Sequence, residues 1–141
     1  MIVPTLSVKD HPMTIDATWN AAQGSTICEL SNGTAHWRAD LDAEFGGDTS
    51  IPNPHELLDS ALAACTALTM QVYAKRKAYD LRAVHVSVTH EESAGQYRML
   101  RTVRVEGELA PAAREDLLRV ANKCPVHKSL SAQISIETTL E

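Results

Sequence analysis

The sequence predicts an α+β protein with antiparallel sheets around one long central helix. Three observations carry this. Segments with strand alternation occur as neighbours joined by turn signals, which favours hairpins. Strands and helices do not alternate in the βαβ rhythm of a doubly wound sheet. One run rich in Ala and Leu is long enough to be the centre of a small domain. The expected element order is β-β-β-α-β-β-α-(α)-β.

Residues 1–12 read as a loosely held tail, and the whole chain, 1–141, as a single domain. The stretch from Met13 to Ala22 is expected to form a strand. Thr26 to Leu30 is the natural partner of Thr34–Leu41, with Asn32-Gly33 as the turn between them. In Thr34–Leu41, Ala35, Trp37, Ala39 and Leu41 share one face, and His36, Arg38 and Asp40 the other. A loop from Gly46 to Pro54 leads into a helix expected over about His55 to Ala78. Pro54 suits its first turn, Asn53 its cap, and Lys75-Arg76-Lys77 its negative end. Leu58, Ala61, Leu62, Cys65, Leu68, Thr69 and Val72 recur at helical spacing, and Ala61, Ala63, Ala64 and Ala67 leave so little bulk that the helix is expected to be central and enclosed.

Leu81 to His90 and Tyr97 to Leu109 alternate as strands around the turn Ser93-Ala94-Gly95. The second strand places Tyr97, Met99, Arg101, Val103 and Val105 on one face, and Arg101 interrupts that face. An inward arginine calls for a partner, and Glu56 or a thiolate would serve. Ala110 to Lys123 reads as a second helix opened by Pro111. Cys124-Pro125 begins a short third helix, and Gln133 to Leu140 reads as a closing strand.

Composition excludes several classes. Hydrophobic residues at 44% and charged residues at 22% describe an ordinary globular protein. A net charge of −5 opposes nucleic-acid binding and a polybasic membrane patch. The N-terminus lacks a charged start followed by an apolar stretch, so no signal peptide is expected. No run approaches about 18 consecutive apolar residues, so no spanning helix is expected. Three cysteines fit a reducing compartment, with the cytoplasm as the expected location.

Cys65 and Cys124 are the residues with chemistry to offer. By periodicity Cys65 reads as a small buried hydrophobe, whose thiol would be inert. Cys124 precedes Pro125 and is the expected cap of the third helix, where free N–H groups favour a thiolate and His127 lies within one turn. Cys28 reads as packing. His55, Glu56, Arg38 and Arg101 are the polar candidates to serve a thiol. His55, Cys65, Cys124 and His127 are zinc-type ligands, but no pair has clamp spacing, so no metal is expected. No G-x-S-x-G elbow or G-x-G-x-x-G loop occurs.

The stretch Asn53-Pro54-His55-Glu56-Leu57, leading by a helix to Ala63-Ala64-Cys65, and then Cys124-Pro125-Val126-His127-Lys128-Ser129-Leu130, resembles the OsmC/Ohr superfamily. The resemblance spans about Met13 to Leu140 and is closer to OsmC-like proteins than to Ohr. It implies an OsmC-like fold and an intertwined homodimer. It also implies a thiol-dependent peroxidase acting on organic hydroperoxides. On that pattern Cys65 is the peroxidatic thiol and Cys124 resolves its sulfenic acid to a disulfide. A dithiol reductant, a lipoyl protein or a thioredoxin-like one, restores both, and no cofactor is implied. The pattern places a glutamate directly after Asn-Pro, where this chain has His55 followed by Glu56. It takes an arginine from the N-terminal strands, and Arg38 is the first arginine here. Those departures leave an alternative, an OsmC-like protein that binds a small ligand with little or no turnover.

Overall fold

The computed structural model describes residues 13–141, so the tail expected over residues 1–12 lies outside the described residues. The described chain divides into two compact units, residues 13–59 and residues 60–141.

The first unit is built on a three-stranded antiparallel sheet, β1 (Asp16–Thr18), β2 (Cys28–Ser31) and β3 (His36–Ala39), in sequence order. Leu30 faces Trp37 and Cys28 faces Ala39. The turn at Asn32-Gly33 is closed by the Asn32 carboxamide, which accepts the N–H groups of Thr34 and Ala35. The strand expected over Met13–Ala22 shrinks to three residues, because Asn20 accepts the Ala22 N–H and starts a helical turn. The alternation expected through Leu41 also fails at its end. Asp40 turns inward and accepts bonds from the Thr26 hydroxyl and from the N–H groups of Leu41 and Asp48, leaving Leu41 exposed. Three donors offset the cost of burying that carboxylate.

The long helix α1 (Pro54–Arg76) begins in the first unit and continues into the second. Asn53 caps it, its carboxamide oxygen accepting the Glu56 N–H at 2.8 Å. Its apolar residues do not form the one enclosed stripe expected. Leu62, Cys65, Thr66, Thr69, Met70, Tyr73 and Ala74 are buried, while Leu58, Leu68 and Val72 are exposed. By length and apolarity, at 23 residues, α1 also meets the requirement for a membrane span, although no uninterrupted apolar run occurs. The buried face packs against protein.

The helix ends in a Schellman arrangement. Tyr79 N–H donates to the Ala74 carbonyl and Ala78 N–H to the Lys75 carbonyl. Ala78 takes the left-handed conformation, φ 55°, that glycine usually supplies there.

The second unit is completed by a two-stranded antiparallel hairpin, β4 (Asp80–Ser93) and β5 (Gln96–Glu108), then α2 (Pro111–Ala121) and α3 (Pro125–Ser131). Arg82 is an extra residue in the β4 ladder, between Leu81, paired with Gly107, and Ala83, paired with Glu106. This bulge resets the alternation, so Leu81 and Val84 both reach the core. Gly107 is required opposite it: φ is 145°, and a Cβ would lie 1.8 Å from the Asp80 carbonyl oxygen. Buried Met70, Tyr73, Ala74, Leu117, Val120 and Ala121 form the larger core, closed by Val103 and Val105 from β5. Within it the Asp116 carboxylate accepts the hydroxyls of Tyr73 (2.7 Å) and Tyr79 (2.8 Å) and pairs with Arg119. Those bonds hold the carboxyl below its usual range, while burial, with Asp116 next, pushes Tyr73 up to about 12.

The closing strand expected over Gln133–Leu140 does not form. Among the described residues this stretch has no ladder partner, and Ile134, Ile136 and Leu140 are exposed. Alternation gives a segment a strand face, but a strand also needs an edge to pair with.

Ala78→Gly removes the left-handed penalty of a Cβ at the end of α1. It is expected to stabilise the protein by about 1 kcal/mol. Urea unfolding checks this: the midpoint rises and the slope is unchanged.

Candidate active site

Cys65 lies on the buried face of α1, and Cys124 is delivered to it by the end of α2. The α2 helix stops at Ala121, and a tight turn through Asn122 and Lys123 leads to Cys124. Pro125 occupies the first turn of α3, and Cys124 caps it in extended conformation, as the sequence predicts. The Cys124 sulfur accepts the His127 backbone N–H at 3.2 Å. Cys124 is fully buried and Cys65 is 7% exposed. Together with Leu62 they form a small second core, packed by Val88, Met99, Val126 and Leu130. Both cysteines are free thiols, and Cys124 is near enough to act on the ionisation of Cys65.

Arg101 completes the cluster from β5, opposite Val88. Its guanidinium donates to Thr66 Oγ1 at 3.0 Å and Asn122 Oδ1 at 2.8 Å, and it meets His127 Nδ1 at 3.0 Å. The partner expected from the sequence was Glu56 or a thiolate. The structure supplies three neutral acceptors instead, on α1, at the end of α2 and on α3. Since an arginine can only donate, His127 Nδ1 is the acceptor and its proton resides on Nε2. Burial, and then the Arg101 charge, lower the imidazole pKa, which keeps the ring neutral at neutral pH.

The Cys65 thiol is pushed up from its ordinary 9.0 chiefly by burial. The Val126 backbone N–H opposes that shift, charge and hydrogen bonding at Cys124 add to it, and Thr69, 3.9 Å from the sulfur, slightly opposes it. Beside the pair lies a cavity of about 230 Å³ lined by Leu62, Tyr97, Met99 and Leu130, with Arg101, His127 and Ser131 as its polar side.

The structure brings together Cys65, Cys124 and Arg101 from residues 60–141 alone. Arg38, on β3, and His55 and Glu56, in the first turn of α1, belong to the first unit and are exposed. Cys28 is half-buried in β2. Among the described residues no three His, Cys, Asp or Glu side chains gather as a metal site. Thr66 and Asn122 were not legible as site residues. Thr66 adjoins Cys65 and could have been marked by the four-residue spacing that puts it above Leu62. Asn122 had no signal beyond its place after a helix.

Comparison with known proteins accords with this geometry. A family model described as OsmC-like protein matches residues 46–139. The chain belongs to the OsmC-like family. Solved structures share its fold at low identity. A Mycoplasma pneumoniae OsmC-like protein is 19% identical, covering 86% of this chain and 88% of its own, with a TM-score of 0.69. A Legionella pneumophila protein named as organic hydroperoxide resistance protein OsmC is 19% identical, covering 86% and 90%, with a TM-score of 0.63. The organic hydroperoxide resistance protein OhrB of Bacillus subtilis is 18% identical, covering 86% and 91%, with a TM-score of 0.58. No curated protein matches the sequence. Family and fold, α+β with two antiparallel sheets and a long helix, are those the sequence motifs imply.

Because the thiolate is the reactive form, alkylation of Cys65 by iodoacetamide is expected to accelerate with pH and still be climbing above 9.0. Cys124→Ser removes a neighbour that disfavours the charge and moves the profile to lower pH. Peptide mass mapping across a pH series measures both. A plateau already reached at neutral pH would contradict the burial effect.

Proposed function

We propose that this OsmC-like protein is a homodimeric thiol peroxidase that reduces organic hydroperoxides, with Cys65 as the peroxidatic and Cys124 as the resolving thiol. The observation that carries the reading is that two free cysteines from separate motifs share one small buried cluster beside a cavity. Shared fold with structures named for organic hydroperoxide resistance supports it.

The Cys65 thiolate attacks the terminal peroxide oxygen, the O–O bond breaks, and the alcohol leaves after taking a proton. Cys65 is now a sulfenic acid. The Cys124 thiolate attacks the Cys65 sulfur, water leaves, and a disulfide forms. A dithiol, on a lipoyl or thioredoxin-like protein, returns two electrons. Cys65 takes the first step because it is the less enclosed of the two residues. Leu62, Met99 and Leu130 offer apolar surface to the alkyl group, and Arg101 and His127 offer polar atoms to the departing oxygen. A reducing compartment, the cytoplasm, keeps the resting thiols free.

The exposed Leu68 and Val72 of α1 offer the apolar surface on which a second copy would pack. Leu68→Glu is expected to yield a monomer in sedimentation; an unchanged dimer, or a wild-type monomer, would refute that pairing.

Binding of a small apolar ligand without turnover is a second reading, favoured by the raised Cys65 thiol. Cumene hydroperoxide separates the two. Stoichiometric addition is expected to remove two hydrogens from the intact mass, joining Cys65 to Cys124, and added dithiol should then sustain peroxide loss. Cys65→Ser should abolish turnover. A protein that keeps both thiols free under peroxide is the binder.

A further inference from the structure

The bonding of Thr66 links Arg101 to the surroundings of one sulfur and not the other. The Thr66 hydroxyl lies 2.7 Å from the Leu62 carbonyl oxygen, which can only accept, so its single proton points there. Arg101 Nη1, which can only donate, occupies one lone pair at 3.0 Å. One lone pair remains, and the Cys124 sulfur faces the hydroxyl at 3.9 Å. In the reduced protein Cys124 S–H therefore donates to Thr66. A Cys124 thiolate would instead draw the hydroxyl proton to itself, while the Leu62 carbonyl keeps its place in the helix ladder.

The same guanidinium holds the His127 ring at 3.0 Å, and the His127 backbone N–H lies 3.2 Å from the Cys124 sulfur. A Cys124 thiolate would thus meet two donors, and Arg101 fixes the residue that carries each. Cys65 likewise meets one backbone N–H, that of Val126, and one threonine hydroxyl, Thr69 at 3.9 Å, but Arg101 bonds Thr66 and His127 rather than these. Cys124 is fully buried, whereas Cys65 keeps 7% of its surface.

We propose that Thr66 and Arg101 are positioning residues that fix the polarity of a Cys65–Cys124 disulfide, so that a reducing thiol attacks the Cys65 sulfur and Cys124 departs as thiolate. The inference rests on the disulfide cycle proposed above. In the first exchange a reductant thiolate forms a bond to Cys65 Sγ, the Cys65–Cys124 bond breaks, and its electron pair stays on Cys124. The second thiol of the reductant then attacks the reductant sulfur bound to Cys65, releasing Cys65 thiolate and a cyclic disulfide. The two protons lost by the dithiol are taken up by the two cysteines through solvent. Exchange favours the less enclosed cysteine as target and a leaving sulfur whose neighbouring donors are held in place, and both criteria select the same direction.

The test uses the full-length protein with its disulfide formed by diamide. A brief pulse of cysteamine, quenched early with iodoacetamide, leaves a mixed disulfide on one cysteine and a carbamidomethyl group on the other, read by peptide mass. Cysteamine is expected on Cys65 and the carbamidomethyl group on Cys124. Thr66→Val and Arg101→Gln should lower the Cys65:Cys124 adduct ratio by roughly 10-fold or more, the scale of one hydrogen bond to a charged group. Thr66→Ser should restore the ratio, which a merely structural role for Thr66 would not require. Cysteamine on Cys124, or a ratio unmoved in both variants, overturns the proposal, as does failure of diamide to join the two cysteines. If diamide forms the disulfide and cumene hydroperoxide does not, the peroxidase reading falls and the adduct ratio still decides the polarity.

Discussion

The Arg101 guanidinium is the joint on which the arrangement of residues 60–141 depends. It projects from the inner face of β5 and bonds α1 through Thr66, the end of α2 through Asn122 and α3 through His127. An inward cation is tolerated only when its donors are met, and here acceptors on three helical segments meet them. The turn between α2 and α3 is thereby tied to the sheet at the point where Cys124 must meet Cys65. Loss of the side chain would leave three polar acceptors short of a donor and α3 held chiefly by Val126 and Leu130.

Within that frame the two thiols have unequal surroundings. Cys65 has access but is penalised by burial, whereas Cys124 has no access but sits at a helix cap with polar groups around it. A nucleophile needs the first property and a leaving group the second. One buried pair can therefore serve successive steps without either residue changing place. The neutral His127 ring suits this division. It accepts from Arg101, so it anchors the cation without adding a second charge beside the sulfurs.

Much of this was legible in the sequence, for identifiable reasons. Pro125 announced the helix that Cys124 caps, because proline tolerates only the first turn. Strict alternation from Tyr97 to Val105 placed Arg101 inward before any partner was known. Other features depended on contacts that periodicity does not encode. On α1, spacing alone merged the exposed Leu68 and Val72 with the buried Cys65. Asp40 looked like the polar face of a strand but is buried because Thr26 and the Asp48 backbone reach it. Thr66 and Asn122 became site residues only when a distant strand brought Arg101 to them. Ile134, Ile136 and Leu140 have the pattern of a strand but no edge to join.

The two-residue turn at Ala94-Gly95 and the bulge at Arg82 set more than the shape of the hairpin. Side chains along β5 change face with every residue, so the location of Arg101 is a matter of odd or even count. A two-residue length change at the hairpin tip conserves that parity. A one-residue slip of β5 past its partner would present Leu100 or Thr102 to the thiols and send the guanidinium to solvent. The hairpin thus acts as a counting device for the site, and Arg82 shows its one permitted correction: a single extra residue absorbed at the end of the ladder remote from Arg101.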